Sequence, residues 1–548
     1  MVGDMRCRVA VMLAGTALLV AACGPTGRTS GTVADIETAA VVARIAPHCT
    51  DLERPDLGAG TVCFDSGFRI RTDDFSFPNW GRSASADANI SVQTLVDLFG
   101  RGAVCMPAGS DGECIPRPTT QQILTEWNTA LSGGRCEGMA AMAVRFRMGL
   151  DSPSDFSTGA STVAELSRSA GRLDSWIAYW WATQFIKETA DAAEGSRARS
   201  PIELVEEIVL GLSDERVGHT LGLYHGSGGH TVVPFAVTRR GSDFVVHVYD
   251  NNHPRERREI VVDPSTNRWT YVDAMPGETW SGGTGTFELT RMSSREGPFT
   301  CPFCTVPDDG APATVTVASR DAAAPGYVLV RSDAGTVSSA PDGISNGIPG
   351  ATATPTKGAG ASITLGIPAN VGTFTVSVRR GRSAVPAGDV VVTVRRPGHP
   401  TVQVSGNLAA KPVGDDRDDA VLRITPKDTT VVAPAADVAR VSFTAGSDIV
   451  RRRLRAGETM IVDRPASNSI EIALKGAGRR ETGRVLLPLR DLRSSTEIEV
   501  TDDAGAVVLV DSVVMPVTVS TPAAVNFVPR TRPVTTTVAD SIVISDPD

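Results

Sequence analysis

The stretch Gly228-Gly229-His230-Thr231-Val232-Val233-Pro234-Phe235-Ala236-Val237-Thr238 is an apolar, β-branched run, followed by the polar turn Arg239-Arg240-Gly241-Ser242-Asp243. Phe244-Val245-Val246-His247-Val248-Tyr249 answers it and leads into Asp250-Asn251-Asn252. Two such runs around a turn read as a β-hairpin. His219 to Tyr224 before it, and Ile260 to Val262 and Trp269 to Val272 after it, extend an antiparallel sheet.

Working back toward the N-terminus, the pattern changes to helices. Thr119 to Leu131 carries Ile123, Leu124 and Trp127 on one face. After Ser132-Gly133-Gly134, a helix is predicted from Cys136 to about Met148. Val163 to Ser169 and the ring-rich Leu173 to Thr189 follow, the latter read as core packing, and Ser200-Pro201 opens another through Val209. Helices first and an antiparallel sheet second is an α+β signature.

Working forward from Thr314, no useful helical period remains. Short Val/Thr-rich runs separated by Gly, Pro and Asp suggest β-sandwiches. At 548 residues, with 41% hydrophobic and 21% charged residues, several domains are expected. The expected boundaries are 49–304 for the α+β domain with its loop-rich N-terminal part, 313–415 and 416–530 for two sandwiches, and 531–548 for a loose tail. A net charge of −9, spread along the chain, gives no reason to expect nucleic acid.

The first 22 residues read as a targeting signal. Arg6 and Arg8 precede the apolar run Val9 to Val20, which is too short to span a bilayer. Val20-Ala21-Ala22-Cys23-Gly24 resembles a bacterial lipobox, a resemblance that implies lipidation of Cys23 and attachment to the extracytoplasmic face of the membrane. Residues 23–48 would then be a spacer. Export favours disulfides among the remaining cysteines. With Cys136 set aside as a free thiol, the sequence-local pairs are Cys49–Cys63, Cys105–Cys114 and Cys301–Cys304. Cys301-Pro302-Phe303-Cys304 could be half a zinc site, but no second CxxC completes it, so no metal and no cofactor is expected.

Cys136 sits among glycines at a predicted helix N-terminus, where the helix dipole favours a thiolate. The alternative is a buried structural cysteine. His230 heads a strand, as a general base near that thiol would need to. His219, His225, His247 and His253 compete with it. The hairpin selects His230, because the chain runs out, turns and returns to Asp250 beside it. Asn252 can share that side and is the alternative third residue.

These motifs, in order, resemble bacterial papain-like cysteine peptidases over roughly residues 119–275. The matching elements are small-Gly-x-Cys-x-Gly-Met opening a helix, Gly-His-Thr-Val-Val-Pro-Phe-Ala-Val, and Val-Tyr-Asp-Asn-Asn-x-Pro. The resemblance implies a Cys136 nucleophile, a His230 base and Asp250 as orienting residue. The family's oxyanion glutamine would fall at Ala130, so Asn128 is the nearby amide chosen for that role, with the Cys136 backbone N–H. The expected function is a lipid-anchored thiol hydrolase acting through an acyl-enzyme on peptide or protein substrates, with the β domains available for cell-surface or cell-wall contacts. A transglutaminase-like acyltransferase is an alternative. So is a catalytically degenerate fold serving in binding or adhesion.

Overall fold

The computed structural model describes residues 33–51, 54–81, 89–106, 114–169, 172–211, 218–304, 310–319, 327–340, 343–358, 362–379, 390–406, 408, 421–432, 439–445, 448–454, 457–466, 469–475, 481–488, 497–501, 507–511, 518–520, 526–530 and 543–544. The expected signal at 1–22, Cys23 and most of the expected tail lie outside them. Within that tail, Val543–Ile544 pairs with the strand at Thr518–Ser520.

Helices precede antiparallel sheet, as the sequence pattern predicts. The helices are α1 (Val33–Ile45), α2 (Val92–Phe99), α3 (Arg101–Val104), α4 (Pro118–Leu131), α5 (Cys136–Arg147), α6 (Leu173–Ala182), α7 (Lys187–Arg197) and α8 (Pro201–Gly211). The strands of the first unit are β1 (Thr61–Asp65), β2 (His219–His225), β3 (Gly228–Arg240), β4 (Asp243–Tyr249), β5 (Arg257–Asp263), β6 (Arg268–Met275), β7 (Glu278–Gly282) and β8 (Phe287–Arg291). Their order is β7-β6-β5-β4-β3-β2-β8, with β1 also paired to β3. The helix expected over 173–189 breaks after Ala182 into a 3₁₀ turn, and α7 restarts after an extended Ile186. Only one 3₁₀ turn, Val163–Glu165, forms in the helix expected over 163–169.

The spacer expected at 23–48 is corrected from residue 33 onward. Val41 and Ile45 lie one turn apart on α1 and are buried with Ile202 and Val205 of α8. An Arg44–Glu206 ion pair closes the same contact. An apolar stripe of this kind gains more by burial than by solvation, so the segment docks instead of spacing.

The division into sandwiches 313–415 and 416–530 is also corrected. Strand Phe374–Arg379 pairs with Leu422–Ile424, and Thr401–Gly406 pairs with Ala439–Ala445. Two sheets of 11 and 10 strands therefore run across the expected boundary. One apolar core extends from Ala313 to Val462. Pairing across 415/416 removes the edges that separate sandwiches would expose.

The two regions meet along α4. Gln122 Nε2 donates to Ser442, Thr444 donates to Gln122 Oε1 at 2.6 Å, and Glu126 pairs with Arg395 at 2.8 Å. Inside the first unit, α5 crosses α6 at Gly138. A Cβ there would stand 2.0 Å from the Ile177 carbonyl oxygen. Glycine at 138 thus serves helix packing. Gly138→Ala is expected to cost about 1–3 kcal/mol by overpacking, read as a lower thermal unfolding midpoint.

Candidate functional site

Cys136 is the first residue of α5 and the free cysteine among the described residues. The six others described form Cys49–Cys63, Cys105–Cys114 and Cys301–Cys304, so the CxxC is a disulfide. Two backbone features place the thiol. Gly134 adopts φ 151°, open to glycine, and Arg135 enters the helix with its N–H donated to Asn79 Oδ1 at 2.7 Å.

The hairpin brings His230 and Asp250 together. His230 Nε2 donates to Asp250 Oδ1 at 2.7 Å, and the Cys136 side chain is close enough to help hold the imidazole charged. With Nε2 committed to Asp250, Nδ1 is the nitrogen left for the sulfur. Asp250 is held on three sides. Its Oδ1 also accepts from the Asn252 N–H at 2.7 Å, and its Oδ2 accepts from the Tyr271 hydroxyl at 2.5 Å. Asn252 itself lies at the rim, its side-chain nitrogen 3.4 Å from His230 Nε2.

The neighbours of the thiol and the imidazole lock the two elements together. Thr231, after His230, donates to Glu137 Oε2, after Cys136, at 2.6 Å. Asn251 Nδ2 donates to the carbonyls of Cys136 and Thr231 at 3.1 and 2.9 Å. Glu137 is fully buried and also meets Arg295 and the Lys357 ammonium, the latter at 3.0 Å. Lys357 belongs to the β-rich region and reaches Glu288 Oε1 at 2.6 Å. Arg197 and the Tyr224 hydroxyl hold the other Glu288 oxygen.

Electrostatics separates His230 from its rivals. Burial alone would lower its pKa, but the charge and hydrogen bond of Asp250, with Cys136, raise it to about 10. Asp250 is shifted the other way: burial opposes its charge, yet His230, Tyr271 and the Asn252 N–H hold it below the usual carboxylate range. His247 is pushed down to about 4, first by burial, and pairs with Thr238. His219 is also lowered by burial and sits against Glu207. His225 stacks on Trp280.

The raised His230 pKa fixes a sign. The folded state favours the imidazolium, so this contribution to stability is fully present below about pH 6.5 and is lost as pH rises through about 10. The unfolding midpoint is expected to fall over that window in the wild type and to fall less in Asp250→Asn, as read by thermal unfolding at stepped pH.

The oxyanion assignment of Asn128 is corrected. Its Oδ1 accepts from the Ile90 N–H and its Nδ2 donates to the Ile90 carbonyl, both at 2.9 Å. The amide is committed to the loop before α2. The amide beside the thiol loop is Asn79. Besides its bond to Arg135, its Nδ2 donates to Asn252 Oδ1 at 3.1 Å and its N–H to the Asn251 carbonyl at 2.7 Å. Asn79, Tyr271, Glu137, Arg295 and Lys357 were not selected from sequence. Only Glu137, beside Cys136, carried a local signal.

The thiol and imidazole are closed off: Cys136 is 0% and His230 1% exposed. Trp280 lies perpendicular to the imidazole, with centroids 6.4 Å apart. Gly358 of the β-rich region bridges Gly229, its N–H donating to the Gly229 carbonyl at 3.0 Å. Among the described residues, no group of three His, Cys, Asp or Glu side chains is arranged to hold a metal. A thiol paired with a buried imidazolium, itself fixed by a carboxylate, can attack a carbonyl carbon and then protonate a leaving group. Comparison with protein-family models, curated proteins and solved structures gave no match to this chain.

Proposed function

We propose that the chain is an extracytoplasmic, papain-like thiol hydrolase, anchored through Cys23, that cleaves peptide or protein substrates through an acyl-enzyme. The observation that carries this reading is the buried His230 imidazole, which donates to the Asp250 carboxylate at 2.7 Å and is held charged by Asp250 together with the Cys136 side chain. The Cys136 thiolate attacks the amide carbonyl. The His230 imidazolium gives its proton to the leaving amine, and the neutral imidazole then takes a proton from the water that hydrolyses the thioester. Asp250, fixed by Tyr271, orients the ring. The Cys136 N–H is the donor assigned to the oxyanion.

The test is adduct mapping with a peptidyl acyloxymethyl ketone on the full chain. The expected result is one adduct, on Cys136, that is missing in His230→Ala. Full burial of Cys136 favours a second reading, a degenerate site in a binding protein. No adduct on Cys136, or label spread over other residues, would support that reading instead.

A further inference from the structure

Residues Thr356-Lys357-Gly358 leave the β-rich region and lie along the first unit in an extended path. The first unit supplies a partner for each polar group of Lys357. Gln184 Oε1 accepts its N–H at 2.9 Å, Trp181 Nε1–H donates to its carbonyl at 3.1 Å, and Glu137 and Glu288 take its ammonium. The next residue, Gly358, pairs by backbone with Gly229, the residue before His230. A Cβ on Gly358 would stand 3.0 Å from the carbonyl of Gly134, two residues before Cys136. Gly358 is therefore wedged between the thiol loop and the imidazole strand, in space fitted to a glycine.

Two features distinguish this from an ordinary domain contact. Glu137 and Glu288 already have Arg295 and Arg197 as counter-charges, so Lys357 is a third cation on two carboxylates. The pocket is balanced without it. Further, the backbone edge at Gly229 is where an extended peptide could pair while presenting a carbonyl to Cys136, the β-addition mode of peptide recognition.

We propose that the surface from Glu137 and Glu288 to Gly229 is a binding site for an extended peptide carrying lysine followed by glycine, and that Thr356-Lys357-Gly358 is its intramolecular occupant, holding Cys136 closed. The proposal rests on the thiol-hydrolase reading and names its substrate class. A Lys-Gly peptide supplied by another molecule must displace the segment.

The experiment compares Cys136 alkylation by iodoacetamide in the full-length wild type, Lys357→Gln and Gly358→Val, with Lys357→Met as a second variant that keeps the stem packed. His230→Ala is added in each background. The variants are expected to react about tenfold faster or more, because the covering contact opens more often. N-acetyl-Thr-Lys-Gly-amide should slow the Lys357→Gln variant again, while the norleucine analogue should not. Wild-type rates in folded variants, or equal protection by both peptides, would overturn the proposal. His230 dependence is read separately: if it persists while the variants react at wild-type rates, the latch fails and the hydrolase reading stands. If His230→Ala changes nothing in any background, the hydrolase reading fails.

Discussion

Asp250→Ala is expected to lower both the stability of the first unit and the reactivity of Cys136. Asp250 is fully buried and its carboxylate accepts from His230, Asn252 and Tyr271. Removing it leaves a buried imidazolium without a counter-charge and a Tyr271 hydroxyl without an acceptor. Breaking a buried pair from one side costs about 3–5 kcal/mol. His230 can relieve part of that by losing its proton, since Asp250 is what overcomes the burial that disfavours the cation. The relief has a functional consequence: the imidazole becomes neutral at neutral pH and the proton for the leaving amine is gone. Thermal unfolding of Asp250→Ala should shift down clearly at pH 7, with adduct formation at Cys136 falling about 100-fold or more. Asp250→Asn, which keeps the size and one acceptor, should recover more stability than reactivity.

The second large effect is expected at Arg295. Its guanidinium is buried and binds Glu137, Thr183 and Thr220, so it joins the first turn of α5 to the end of α6 and to β2. Arg295→Ala leaves Glu137 with Lys357 and Thr231, and Thr183 with the Trp180 carbonyl, but strands the Thr220 hydroxyl and opens a cavity. The expected loss is about 3 kcal/mol or more, measured by denaturant unfolding of the first transition. Lys357 then becomes a required counter-charge. The double variant Arg295→Ala, Lys357→Gln should lose more than the sum of the single losses, because the two cations share one carboxylate.

What the sequence made legible was local. The β3–β4 hairpin is written in continuous apolar runs around a Gly turn, and its return strand is what brings Asp250 within reach of His230. The glycines before Cys136 mark the entry to α5. The three disulfides join near neighbours. Other features depend on residues far apart in the chain. Tyr271 reads as one more strand residue until β6 is seen to reach Asp250. Asn79 sits in a loop-rich segment, and its link to Arg135 and Asn252 leaves no trace in spacing. Asn128 is near Cys136 in sequence, but its amide is turned to Ile90. The boundary near 415 followed turn spacing, which cannot tell a new sandwich from strands added to an existing sheet. The docking of α1 depended on α8, whose matching apolar stripe lies far along the chain.

Histidine dependence of the thiol at acid pH tests the central claim most directly. Iodoacetamide labelling of Cys136 is followed by peptide mapping in the wild type and His230→Ala, at about pH 5.5 and about pH 8. Because His230 stays protonated up to about pH 10, the wild-type rate should change little between the two values. In His230→Ala the rate at the lower pH should drop steeply, as it does for an ordinary thiol. Equal pH profiles for the two proteins would contradict the Cys136–His230–Asp250 account.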